Sequence, residues 1–134
     1  MAKPLAATDV KKLTPILLVE AIEPSLPFWT ALGFSKTIEV PEGDRLGFVA
    51  LELGPVEVML QSRASMRKDM ATLGDQPFHS STILYIEVAA LDAVLPLLGS
   101  APVVTPRRKT FYGADEIFVR EPGGNVVGFT AHSA

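Results

Sequence analysis

The chain has 134 residues and a mass of 14.4 kDa, enough for one substantial core but short for two independent domains. With 12 basic against 15 acidic residues, a formal charge of −3 and a pI near 5.3, it has no electrostatic footprint for nucleic acid or an anionic membrane surface. The lack of cysteine excludes disulfides, thiolate metal sites and cysteine nucleophiles, and no apolar run reaches the roughly 18 residues a membrane span needs.

Residues 1–12 show no apolar period and read as a loose arm, without the continuous apolar stretch of a secretory signal, so a soluble cytoplasmic protein is expected. Leu13 to Glu20 is rich in Leu, Ile and Val and reads as a strand. Glu23-Pro24 opens a helix, where the missing proline N–H costs nothing, and Gly33 closes it. Leu26, Trp29 and Leu32 recur at helical spacing, which assigns Trp29 to the core.

A second strand is expected over Phe34 to Val40, then a turn at residues 41–44, then a hairpin of Leu46 to Leu53 and Val56 to Gln61 around Gly54-Pro55. Residues 62–79 are polar and form a linker containing some helix. The pattern restarts with a strand over Ser81 to Val88 and a helix over Ala89 to Leu98 that Pro96 kinks or shortens. Strands over Val103 to Phe111, Glu116 to Arg120 and Asn125 to Ala131 complete the chain.

This restart is an internal repeat. Val19-Glu20-Ala21-Ile22-Glu23 falls on Val88-Ala89-Ala90-Leu91-Asp92, and the 51–60 stretch falls on 120–129 with Gly54 on Gly123. The expected fold is therefore α+β: one domain over residues 1–134, built of two pseudo-symmetric βαβββ modules at about 13–61 and 80–131. Their curved mixed sheets would enclose a cleft.

Alternation assigns faces. If Leu53 pairs with Val56, one face carries Phe48, Ala50, Glu52, Glu57, Met59 and Gln61, a mixed set suited to lining a wet cleft, and the other is uniformly apolar. Carrying this choice by the repeat spacing puts Ile117, Val119, Val126, Gly128 and Thr130 on the second cleft face. On the lead strands, Thr14, Ile16, Leu18 and Glu20 face the cleft, and their copies are Ile83, Tyr85 and Glu87.

The opening segment from Val19 through Pro24, Phe28-Trp29 and Leu32-Gly33-Phe34, together with Tyr112-Gly113-Ala114-Asp115-Glu116 and Glu121-Pro122-Gly123-Gly124-Asn125 before the last strand, resembles the glyoxalase, bleomycin-resistance and extradiol-dioxygenase superfamily, the vicinal oxygen chelate proteins. Glu121 stands where the family pattern has Asp. The resemblance spans roughly residues 13–131 and implies the paired βαβββ fold. Metalloenzymes of that superfamily take His and Glu ligands from the lead and last strands of each module, which correspond here to Thr14, Met59, Ile83 and Gly128. These four are expected to converge on one cavity, yet none is a usual metal ligand, so no metal and no cofactor is expected.

The two histidines, His79 and His132, fall outside the elements and read as solvated residues rather than partners of Glu57 in a metal site. Glu52 and Glu57 read as an exposed pair rather than an acid/base couple, and Arg107-Arg108-Lys109 as a solvated strand edge. There is no Gly-x-Ser-x-Gly elbow, Walker A motif or dinucleotide fingerprint. By resemblance Tyr112 borders a ligand cleft, and Glu116 holds the adjoining loop through backbone N–H groups.

The function expected is metal-free binding of a small organic molecule, with sequestration of a drug or other planar ligand as in the bleomycin-resistance branch, in a homodimer. The ligand would meet Phe48, Glu57, Met59, Gln61, Tyr85, Glu87, Tyr112 and Gly128, with Glu57 and Glu87 serving a cationic ligand. The alternative is a lyase, isomerase or dioxygenase of the same fold. No nucleic acid and no membrane is expected among its partners.

Overall fold

A computed structural model describes residues 3–77 and 82–132. The strands are β1 (Ile16–Val19), β2 (Ser35–Glu42), β3 (Arg45–Leu53) and β4 (Val56–Ser62), then β5 (Ile83–Glu87), β6 (Val103–Lys109), β7 (Ala114–Arg120) and β8 (Val126–His132). They form two four-stranded sheets of order β1-β4-β3-β2 and β5-β8-β7-β6, one per module. In each sheet the lead strand runs parallel to the last, and the other pairings are antiparallel.

The first module's helix α1 (Leu26–Leu32) follows a 3-10 turn at Glu23–Ser25. It ends because Gly33 adopts φ 110°, so that its N–H reaches the Thr30 carbonyl and the Phe34 N–H reaches that of Trp29, closing the last carbonyls of the helix. Trp29 is fully buried and meets Phe28 and Phe34 edge to face, each at 5.2 Å between centroids. The linker holds two short helices, α2 (Arg63–Asp69), capped by Ser62, and α3 (Ala71–Gly74).

In the second module the expected helix is cut to α4 (Leu91–Val94) and a 3-10 turn at Leu95–Leu97. Pro96 has no N–H to continue the ladder, so the chain tightens there. Phe111 also leaves the expected strand: Thr110 and Ala114 bond across a tight turn, with the Gly113 N–H closing on the Thr110 carbonyl, and Phe111 and Tyr112 sit at its tip.

The inward faces of the two sheets build a single core. The first contributes Leu17, Val19, Val49, Leu51, Val58 and Leu60, and the second Ile117, Val119, Val127 and Phe129, with α1 and α4 adding Phe28, Trp29, Leu91 and Val94. The β3/β4 register is the expected one, pairing Phe48 with Gln61, Ala50 with Met59 and Glu52 with Glu57.

In the second hairpin two assignments reverse. Ile117 and Val119, expected in the cleft, are 8% and 0% exposed and belong to the core, while Glu116 and Phe118 share the open face with Val126, Gly128 and Thr130. The cause is one extra residue in the turn. Leu53 pairs directly with Val56 around Gly54-Pro55, whereas Glu121 bonds Asn125 around Pro122-Gly123-Gly124. One residue of offset flips every side chain on a strand.

That longer turn is organised by Glu121, which is 2% exposed and accepts hydrogen bonds from the backbone N–H groups of Gly123 (2.8 Å) and Asn125 (2.9 Å) and from the Asn125 amide (2.9 Å). The turn in turn seats on β1: a Cβ at Gly123 would lie 2.3 Å from Val19 Cγ1. Glu121 is thus the residue that shapes the junction between modules. Glu121→Ala should cost about 1–3 kcal/mol by stranding buried N–H donors, read as a lower urea midpoint at unchanged slope.

Candidate functional site

Each sheet turns its second face away from the core. On the first sheet this open face carries Thr14, Ile16, Phe48, Ala50, Glu52, Glu57, Met59 and Gln61. Glu57 is its charged centre, but the chain itself satisfies it: Lys12 Nζ lies at 2.7 Å and the Thr14 hydroxyl donates at 2.9 Å. Lys12 first and Thr14 second hold the Glu57 carboxyl below the usual carboxylate range. Gln61 is 5% exposed, and its amide donates to Ser65 Oγ of α2 at 3.1 Å. The arm residue Lys12 carried no period in the sequence that could have announced this contact.

The second open face is organised around an aromatic floor. Tyr85 on β5 and Phe118 on β7 are both in register with Gly128 on β8 between them, and their rings lie near-parallel, 15° apart with centroids 5.9 Å from one another. The space above Gly128 is filled by the Phe118 ring, since a Cβ there would lie 2.5 Å from it. Tyr85 is 49% exposed, so the floor is open.

Beneath the Tyr85 hydroxyl lies Glu116, which is 1% exposed and accepts from that hydroxyl at 2.7 Å. Its other oxygen takes Arg108 Nε at 2.9 Å and Nη2 at 2.8 Å, and the guanidinium carbon stands 5.9 Å from the Phe118 centroid. The Tyr85 hydroxyl foremost, then Arg108, holds the Glu116 carboxyl below its ordinary value despite burial. Thr130, on the same face, is buried beside the Tyr85 hydroxyl.

Several expectations for this region are corrected. Glu116 grips side chains of β5 and β6 rather than backbone N–H groups, and the backbone-binding carboxylate is Glu121. The basic run is bonded, not merely solvated: Arg107 bridges Asp115 and Asp92, both at 2.8 Å, and Arg108 pairs with Glu116. Phe118 and Arg108 were missed as site residues, Phe118 because of the added turn residue. The signal available was the second glycine in Gly123-Gly124, set against the single Gly54 of the first turn.

Tyr112 is 57% exposed and meets Phe111 edge to face at 5.1 Å, at the tip beside this floor. Glu87 is exposed on β5, opposite Thr130. A surface cavity of about 340 Å³ adjoins the same end of the sheet, lined by Lys109, Thr110, Gly113, Ala114, Asp115, Ala131 and His132.

The four positions matched to metal ligands fall two by two on the two sheets. Thr14 and Met59 belong to the first sheet, Ile83 and Gly128 to the second, and the two sheets share no strand pairing. Their chemistry does not fit a metal of the usual kind: the Thr14 hydroxyl is engaged by Glu57, Met59 offers a thioether, and Ile83 and Gly128 offer no donor. Among the described residues no group of three or more His, Cys, Asp or Glu is placed to hold a metal ion, and no helix is long and apolar enough to cross a membrane. His132 ends β8 opposite Ala114, on the sheet that does not carry Glu57, and His79 lies outside the described residues.

Placing a metal donor on the last strand should therefore fail. Gly128→Glu must displace the Phe118 ring at a cost of about 1–3 kcal/mol. Equilibrium dialysis against zinc or nickel should show no gain in binding, and Gly128→Glu with Phe118→Ala should recover most of the lost stability. The depressed Glu116 carboxyl also sets a pH dependence. Its folded value lies below the unfolded one, so its contribution is fully present above the unfolded value and is lost as pH falls through the folded value. Between about pH 5 and pH 3, wild type should lose more stability than Glu116→Gln in urea titrations.

No protein-family model matches this sequence. No curated protein matches it either. Solved structures do match in shape. A glyoxalase/bleomycin resistance protein/dioxygenase family enzyme from Burkholderia phytofirmans PsJN superposes with a TM-score of 0.75 at 15% identity, covering 90% of this chain and 97% of that one. A glyoxalase/bleomycin resistance protein/dioxygenase from Nocardioides gives 0.71 at 20% identity, over 92% and 84% of the two chains. The lactoylglutathione lyase of Agrobacterium tumefaciens gives 0.67 at 15% identity, over 90% and 92%. With two βαβββ modules sharing one core and these shapes as neighbours, the chain has the glyoxalase/bleomycin resistance/dioxygenase fold.

Proposed function

We propose that the chain binds a small planar organic molecule, without a metal, on the open face of its second module, and that a second copy closes the site in a homodimer. The observation that carries this is the floor of Tyr85 and Phe118 over Gly128, braced from below by Glu116 and from the side by Arg108. A flat, rigid aromatic surface gains stacking energy from any planar partner at little entropic cost.

The ligand-contacting residues of this reading are Tyr85, Phe118, Tyr112, Glu87 and Arg108 from one copy. Phe48, Met59 and the Glu57 region of the other copy face them. Dimerisation is supported by the apolar groups each open face leaves in water, with Ile16 at 46%, Ile83 at 54% and Phe111 at 101% exposure. The Lys12–Glu57 and Arg108–Glu116 pairs already satisfy both central carboxylates, which favours binding over acid/base chemistry. Lyase, isomerase or dioxygenase activity through a metal would need donors that Thr14, Met59, Ile83 and Gly128 lack.

One screen tests the reading. Light scattering at micromolar concentration should give twice the 14.4 kDa of the chain. Planar aromatic compounds should raise the melting temperature of wild type, and Tyr85→Ala or Tyr112→Ala should weaken them by about 0.5–1.5 kcal/mol beyond the lost area. A monomer that binds no planar compound would end the proposal.

A further inference from the structure

Resting on that planar-ligand site, the geometry points to its ligand class: we infer that the site selects a planar aromatic acid, with the rings over Tyr85 and Phe118 and the anionic group against the outer edge of Arg108. Both central carboxylates of the open faces are withdrawn from solvent or from use. Glu57 is held by Lys12 at 2.7 Å, and Glu116 is 1% exposed with both oxygens engaged. A cationic ligand would find neither free.

Arg108 is placed the other way round. Nε and Nη2 face inward to Glu116, the side chain is 55% exposed, and Nη1 makes no hydrogen bond among the described residues. Glu116 and the Phe118 ring fix the guanidinium in plane, so a carboxylate or sulfonate meets a donor already oriented beside the aromatic floor. Lys109 and His132, which line the adjoining 340 Å³ cavity, stand at the same end of the sheet.

The sheet register supplies a direction as well. Glu87, Thr130, Glu116 and Arg108 form one row across β5, β8, β7 and β6, so the exposed carboxylate of Glu87 marks the edge opposite Arg108. An acid is attracted at one edge and repelled at the other. The ligand therefore has one preferred orientation.

Three probes with a common ring separate the charge inference from the stacking reading: 2-naphthoate, 2-naphthamide and 2-naphthylmethylammonium, titrated by calorimetry at one ionic strength. Wild type should bind the naphthoate about tenfold tighter than the amide, as a charge-assisted hydrogen bond requires, and the ammonium most weakly. Arg108→Gln combined with Glu116→Gln removes the pair without stranding a buried charge and should bring naphthoate to the level of the amide. Phe118→Ala should weaken all three.

If the ammonium binds as well as the naphthoate while Phe118→Ala still weakens both, the charge inference is overturned and stacking stands. If none of the three binds wild type, both fall. Naphthoate preference surviving in the double variant would also overturn the inference. Should that variant not fold, the exposed Glu87→Gln carries the test at about 0.01 M ionic strength, where screening reaches about 30 Å: removing the like charge across the row should tighten naphthoate about two- to threefold, and no gain would overturn the assignment.

Discussion

The apolar faces of the two sheets and the helices α1 and α4 share one buried cluster, which removes that surface from water in both modules at once. Val19, Val49 and Leu60 of the first and Val119, Val127 and Phe129 of the second are all at or below 2% exposure within a single cluster. At roughly 1.5–3 kcal/mol for each large aliphatic or aromatic side chain buried, this shared core is the main term holding the halves together. The contact is reciprocal: the second module's turn at Gly123 abuts Val19, while Leu53 and Val56 at the first module's turn line a cavity with Ile86 and Val88 of the second. Both open faces are fixed by this arrangement, because whatever points inward on one strand dictates what its neighbours point outward.

The core fixes which positions face outward but not their chemistry, and the two modules differ there. The first is closed by its own chain, with Lys12 and Thr14 on Glu57 and Ser65 on Gln61. The second keeps half-exposed rings and an outward guanidinium. At the position where the first sheet carries Met59, the second has Gly128, and the missing side chain is what lets Phe118 lie flat. The lack of a donor side chain at Gly128 and the room for the Phe118 ring have one cause, the missing Cβ.

Much of this was written in the sequence in plain form. The alternation of Val49, Leu51, Val58 and Leu60 around Gly54-Pro55 determined the register of the first hairpin, and Leu26, Trp29 and Leu32 placed Trp29 inside. The parity of β7 was not legible through the repeat, because Gly124 lengthens the turn by one residue and the spacing that maps β4 onto β8 no longer maps β3 onto β7. The Tyr85–Glu116–Arg108 cluster joins the β6–β7 hairpin to Tyr85 of β5, 31 residues before Glu116, and only the folded register brings that tyrosine to the pair. Lys12 sits in a segment without pattern, where an electrostatic contact leaves no periodic trace.

The burial of Trp29 has a practical corollary. It is the only tryptophan and lies in the first module's half of the core, whereas the only two tyrosines, Tyr85 and Tyr112, both lie at the open face of the second. The intrinsic chromophores are thus divided between the halves, one reporting the interior and two reporting the surface where a guest would land. Ordinary ultraviolet fluorescence and absorbance can follow the melting of the interior and the occupancy of the floor as separate signals, with no label attached.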